Sequence, residues 1–483
     1  MEQQHRNSRR RSATLAAGLL LFLAALGPSP AHGAVELDEM FTFNAVLQQG
    51  GEVPVFGTAD DGDRVIVRFQ EHVVEGVVKD GRWRAVLPSL TPGGPYTLEV
   101  TGTSSHTVHN LFVGEVWVCA GQSNMQWSVF RSKNSGAAMI APENRRLHFY
   151  NVAREPADEP KYSNSSTWSV GSAATISNFS AVGYYFGREL AAATEVPIGL
   201  INCSHYLSTT EAWVQKKTLE SNPALKPIVD DTLPGRKDPL APGTLFNGMV
   251  SPIAQYAVRG VICYEGDNAS KTAAFYDKLF AAQIADWRRA WGKPELPFLF
   301  VQVAPAKPPG SLANAPNLAL IREAQARVWE NTPNTAMIVS TDYGDAYSMH
   351  PAEKEPIGKR LALAARAIAY GESLPYSGPV YKSHAVINDH IVVAFDRAGD
   401  GLKKTGDRLL GFTLAGDDGQ FQPAEALIVG PAVLVKSEKV PQPRHVRYAW
   451  ADFPVCNLYN SFDLPAVPFR TDVPNAASSP SEK

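Results

Sequence analysis

The sequence predicts a layered α/β domain set between two all-β regions, and three patterns predict it. The runs "EVWVCAG", "VPIGLINCS", "RGVICYEG", "LPFLFVQVAP" and "TAMIVSTD" are nearly continuous in apolar residues, as parallel strands are when both faces are covered. Between them lie stretches with helical spacing: "AVGYYFGRELAAAT", "AAFYDKLFAAQIADWRRAW", "LALIREAQARVWE" and "KEPIGKRLALAARAIAYG". On either side of this alternation the pattern changes to short alternating strands broken by turn residues.

In chain order, residues 1–34 have the form of an export signal. Arg6, Arg9, Arg10 and Arg11 precede an apolar run from Leu15 to Leu26, and the small residues around Ala31 and Ala34 suit cleavage. The run is shorter than the ~20 residues a spanning helix needs. The expected location is therefore secreted or periplasmic, with no membrane span once the signal is removed. Residues 35–110 follow as a small β-sandwich, with turns at Asp61-Gly62 and Gly93-Gly94. The α/β domain is expected over residues 111–371, a second β-sandwich over 372–471, and a polar, disordered tail over 472–483.

Composition narrows the function classes. A chain of 483 residues with 44% hydrophobic and 19% charged residues can bury more than one core. Its formal net charge of -3 offers nothing to nucleic acid, so the expected partner is a small or neutral molecule. The cysteines Cys119, Cys203, Cys263 and Cys456 lie far apart, which argues against a disulfide-stapled scaffold and leaves one bridge open. No CxxC pair, HExxH helix or acidic calcium loop is present, so the sequence gives no support to a metal site. Oligomeric state is not legible.

Chemistry concentrates at the strand ends. Ser123 follows the run "EVWVCAG" at a position where Gly121 permits a tight strand-to-helix turn. A hydroxyl there projects beyond the carboxyl edge of a parallel sheet, where such folds bind ligands. Backbone N–H groups around Gly121 and Gln122 are then placed to stabilise negative charge. A serine nucleophile needs a base, and His350, in the loop after "TAMIVS", emerges on the same edge. The competing readings are a helix cap for Ser123 and a solvated loop residue for His350.

The blocks "VGEVWVCAGQSNMQW", "TLFNGMVSPIAQYAVRGVICYEG", "HPAEKEPIGKRLA" and "YAWADFPVCNLYNSFDLPAVPFRTD" resemble the sialate O-acetylesterase family of the SGNH hydrolases. The earlier "NAVLQQGGEVPVFGTADDGDRVIVRF" resembles that family's N-terminal β-domain. The resemblance implies a flavodoxin-like three-layer catalytic domain with a mainly parallel sheet. It also implies a serine ester hydrolase that removes acetyl groups from sugar hydroxyls without a cofactor, with Ser123 as nucleophile and His350 as base.

Three blocks depart from the family pattern. The family's acid two places before the histidine is Ser348 here, which leaves Asp342, Asp345 or a backbone carbonyl to orient the imidazole. In the stretch matching "NSSWGGTPIEAW", the glycines become Tyr206 and Leu207, so the oxyanion donor expected there is the Leu207 amide. In "ICYEGDNAS", Gly266 matches the family, Glu265 replaces a glutamine and Ala269 an asparagine, with Asn268 as the displaced donor. Trp127, Tyr206, Trp213 and Tyr264 are candidates for a sugar platform. Asn164, Asn178, Asn202 and Asn268 stand in N-x-Ser contexts. The alternatives are a catalytically impaired glycan binder and a xylan acetylesterase.

Overall fold

A computed structural model describes residues 33–140, 144–230, 240–267, 269–306 and 317–472. The expected export signal, apart from its last two residues, and the expected tail, apart from Asp472, lie outside the described residues.

The N-terminal strands are β1 (Glu36–Leu37), β2 (Val46–Gln48), β3 (Val53–Thr58), β4 (Val65–Phe69), β5 (His72–Lys79), β6 (Arg82–Leu87) and β7 (Gly93–Thr101). With β8 (Ser105–Gly121) they run in the order β1-β3-β6-β5-β4-β7-β8, every neighbour antiparallel, while β2 joins β8 in parallel. The β5–β6 hairpin closes through Asp80 and Gly81 at φ 54° and 75°, the left-handed pair that a two-residue turn requires.

β8 is the element that joins the two parts. Its first residues alternate between exposed and half-buried, as suits a sheet with one wet face, whereas Val113–Gly121 are buried without a break. The boundary expected near residue 110 therefore falls inside a single strand, and one mixed sheet of 14 strands runs through both regions.

Beyond β8 the sheet is built from β9 (Asn144–Asn151), β10 (Trp168–Gly171), β11 (Ile198–Ser204), β12 (Gly260–Tyr264), β13 (Phe298–Val301) and β14 (Thr335–Ile338). β11-β8-β12-β13-β14 are neighbours in that order and all parallel; taken by chain position this is the 2-1-3-4-5 order of a doubly wound sheet. β9 is added in parallel outside β11, and β10 antiparallel outside β9. Successive residues of β8 point to opposite faces. Trp117 and Cys119 enter a core with Val182, Phe186 and Leu361 from the helices Ala181–Thr194 and Glu355–Ala369. Val116, Val118 and Ala120 enter the opposite core with Phe280, Trp287 and Ile321 from the helices Tyr276–Ala290 and Asn317–Asn331.

The C-terminal strands are β15 (Val380–Ile387), β16 (His390–Asp396), β17 (Leu402–Lys404), β18 (Phe412–Ala415), β19 (Gln422–Pro423), β20 (Glu425–Val429), β21 (Ala432–Lys436), β22 (His445–Tyr448), β23 (Leu458–Asn460) and β24 (Phe469–Arg470). They form the sheets β15-β16-β21-β20 and β19-β18-β22-β24 and the pair β17-β23. Val393 and Val435 of one four-stranded sheet share a core with Leu414, Val446 and Tyr448 of the other. Arg322 ties this region to the α/β layers by donating to the carbonyls of Ala451 and Asp452 at 2.7 and 2.9 Å. All four cysteines are free thiols. Among the described residues no helix is long and apolar enough to cross a membrane.

Candidate active site

The site is set by where β8 stops. Gly121 pairs with Ser204 of β11 on one side and Tyr264 of β12 on the other, so three carboxyl ends lie level at the point where the chain order of the sheet reverses. Gly121 has φ 127°, and a Cβ on it would stand 2.2 Å from the Tyr264 carbonyl oxygen. Glycine alone lets the strand turn there while keeping its neighbour. The chain then opens a single helical turn, Ser123–Gln126, with Ser123 at its head.

His350 arrives from the far edge, on the loop between β14 and the helix Glu355–Ala369, and its Nε2 stands 2.8 Å from Ser123 Oγ. Two features hold that loop. The Ser348 hydroxyl accepts from the His350 amide at 3.0 Å, which gives the residue in the family's acid position a backbone role. Asn124, next to the serine, donates through Nδ2 to the Met349 carbonyl at 2.9 Å and to Asp267 Oδ2 at 2.7 Å. Its Oδ1 accepts from Lys354 Nζ at 2.5 Å. The residue after Ser123 is thereby bonded to the residue before His350.

Neither expected carboxylate reaches the imidazole. Asp342 forms a two-pronged pair with Arg360 at 2.8 and 2.6 Å, and Asp345 Oδ1 accepts from the Tyr347 amide at 2.8 Å. Among the described residues neither hydrogen-bonds His350. The imidazole lies instead against the Trp127 ring, with centroids 5.3 Å apart and planes 21° from parallel. Burial, then the charges of Lys354 and Arg131, hold the His350 pKa below the usual histidine range, which keeps the ring in its neutral form, able to accept a proton, at neutral pH.

Ser123 and His350 open on a cavity of about 560 Å³, also lined by Trp127, Arg131, Arg154, Tyr206, Leu207 and Asp267. Of the expected oxyanion donors, Leu207 lines the cavity, and its φ of 58° strains a residue bearing a Cβ, by ~1–2 kcal/mol. The Gln122 amide donates to the Tyr264 carbonyl at 3.2 Å, and the Gly266 amide to Glu265 Oε1 at 3.3 Å; both serve the scaffold. Gly121 supplies the turn, and Asn268 lies outside the described residues. Trp127 and Tyr206 are cavity walls, whereas Trp213 and Tyr264 are buried core side chains. Asn178 also lines the cavity; Asn164 and Asn202 are buried and closed to glycosylation.

Sequence reasoning passed over Asn124, Asp267 and Lys354. Burial is the dominant influence on both charged members: it raises the Asp267 pKa to about 6 and lowers that of Lys354 to about 7. Asp267 stands inside the same "ICYEGDNAS" block as Glu265 and Gly266, the one available signal for it.

Glu265, beneath the site, is fully buried, and among the described residues its Oε2 has no hydrogen-bond partner. Burial, then the neighbouring Asp267, raises its pKa well above the carboxylate range, so the folded protein holds this carboxyl protonated. A raised folded pKa contributes stability that is complete below the unfolded value and is lost as pH rises toward the folded one. Glu265→Gln should therefore melt with wild type near about pH 4 and above it at about pH 8. A melting-temperature gap that stays constant across that range would refute a protonated Glu265.

Residues 113–367 match the family described as carbohydrate esterase, sialic acid-specific acetylesterase. The chain belongs to that family. Sialate O-acetylesterase of Rattus norvegicus is 29% identical over 508 residues, covering 89% of this chain and 92% of the relative. The Homo sapiens enzyme is 30% identical over 375 residues, covering 69% of this chain and 71% of its own length. The crystal structure of a carbohydrate acetylesterase from Xanthomonas citri superposes with a TM-score of 0.84 at 35% identity, covering 91% of this chain and all of that one. This acetylesterase is accordingly an ester hydrolase for carbohydrate O-acetyl groups, with a large mixed sheet and additional β-sheets.

Proposed function

We propose that Ser123 and His350 carry this hydrolysis, in an SGNH-type catalytic region flanked by β-sandwich regions, on a protein exported from the cell. The observation that carries the reading is the 2.8 Å contact between Ser123 Oγ and His350 Nε2, inside the hydrogen-bond range expected of a nucleophile and its base. His350 takes the hydroxyl proton as Oγ bonds to the acetyl carbonyl carbon. The C–O bond to the sugar then breaks, the sugar oxygen leaves with the proton from His350, and acetate remains esterified to Ser123. Water, deprotonated by the same imidazole, attacks that ester and releases acetate, and the proton returns to Oγ. The Leu207 amide, on the cavity wall, is the candidate to stabilise the oxyanion.

Charge in the cavity supports an acidic sugar over neutral xylan. Arg131 and Arg154 line the cavity, and among the described residues neither pairs with a carboxylate. A sialate carboxylate supplies that partner. Arg154→Gln should raise KM for acetylated sialate by about 10-fold, the loss of one charge-assisted hydrogen bond, while KM for p-nitrophenyl acetate stays at the wild-type value. Equal kcat/KM on acetylated sialate and acetylated xylo-oligosaccharides, unaltered by that substitution, would remove the acidic-sugar reading.

A further inference from the structure

The imidazole of His350 needs an orienting partner, and the carboxylates expected to supply it are turned elsewhere, Asp342 to Arg360 and Asp345 to a backbone amide. What covers the ring is Trp127. Its plane lies within 21° of the imidazole plane at 5.3 Å, the arrangement of a stacked pair. Trp127 is itself fixed: its carbonyl accepts from the Ala181 amide at 2.8 Å, at the start of the helix Ala181–Thr194. The Arg131 guanidinium lies over the same indole, 3.8 Å from the ring centroid. Among the described residues the buried indole Nε1 has no hydrogen-bond partner, so the residue is held by its face and not by its polar atom.

Resting on the Ser123–His350 reading, we infer that Trp127 is a positioning residue. Its indole face holds the His350 imidazole in register with Ser123 Oγ, the task a carboxylate performs in a serine triad. The Asn124 bond to the Met349 carbonyl fixes where the loop stands, and the indole fixes how the ring is turned. Rotation of the ring about its side-chain bonds would carry Nε2 away from Oγ, and a displacement near 1 Å at a reacting pair costs about 100-fold in rate.

Trp127 also lines the cavity, so the competing role is a platform for the sugar ring. p-Nitrophenyl acetate separates the two, because it carries no sugar. Trp127→Ala should lower kcat on this substrate by about 10–100-fold with KM within about twofold of wild type. Trp127→Phe keeps a flat face and discards only the unpaired N–H, and should recover kcat to within about threefold of wild type. Thermal melting of each variant establishes that the fold is intact. Trp127→Ala with wild-type kcat on p-nitrophenyl acetate and a raised KM on acetylated sugar would overturn the inference in favour of a platform. Asp345→Asn losing about 10⁴-fold, as removal of a triad acid does, would overturn it in favour of a carboxylate. Trp127→Phe remaining as slow as Trp127→Ala would overturn it as well. Ser123→Ala as fast as wild type would instead sink the Ser–His reading itself.

Discussion

Ser123→Ala should hydrolyse acetyl esters about 10⁴–10⁶-fold more slowly than wild type, while melting within a degree or two of it, as about 1 kcal/mol at most is at stake in the fold. The two halves of that expectation come from different facts. The hydroxyl's hydrogen bond is to His350 Nε2, so its removal leaves an imidazole at a water-accessible cavity and no orphaned core group. The fold loses little. Catalysis, in contrast, loses the atom that bonds to the acetyl carbon. His350→Ala should be about as slow, and the double variant no slower than either single one, because the two groups act as a unit. Acetate release or p-nitrophenyl acetate turnover reads all three. A Ser123→Ala variant retaining wild-type kcat/KM would end the nucleophile assignment and place the reacting group elsewhere in the cavity.

Much of this was legible because parallel strands write themselves into local composition. The buried runs at β8, β11, β12, β13 and β14 stand in the sequence as unbroken apolar stretches; Ser123 is conspicuous just beyond the first of them and His350 in the loop that follows the last. What pairs with what across long chain distances is not written locally. Asp342 and Asp345 lie within a few residues of His350, yet an arginine from the next helix and a backbone amide take them up. Trp127 and His350, separated by more than two hundred residues, meet face to face. The Lys354–Asn124–Asp267 network joins three separate segments, and no single segment marks it. The boundary near residue 110 had a different cause. The pattern does change there, from alternating to continuous burial, and the change occurs along one strand, β8, whose surroundings change.

Gly121→Ala should be among the most damaging single changes in the catalytic region. Two costs combine at this position. A Cβ at φ 127° occupies backbone space that L residues rarely adopt, and it would meet the Tyr264 oxygen at 2.2 Å, the carbonyl carbon at 2.7 Å and the amide nitrogen at 3.0 Å. All three are backbone atoms of the adjacent strand, so no rotamer change relieves the contact. Relief requires β8 and β12 to part at the pair Gly121–Tyr264, which also breaks the bond from the Gln122 amide to the Tyr264 carbonyl. The expected loss is more than about 4 kcal/mol, the range reserved for backbone clashes and broken buried networks. Gly371→Ala is the control: its φ is 68° but no atom of the described residues lies within 4 Å of the added carbon, so it should cost only about 1–2 kcal/mol of strain. Folded yield and melting temperature separate the two substitutions. Whatever fraction of Gly121→Ala does fold should also be slow on p-nitrophenyl acetate, since Ser123 begins two residues later and inherits any shift of the strand end. A Gly121→Ala protein that melts with Gly371→Ala and keeps wild-type turnover would show that the strand end is free to move, and that the close approach of β8 to β12 is not what aims the serine at His350.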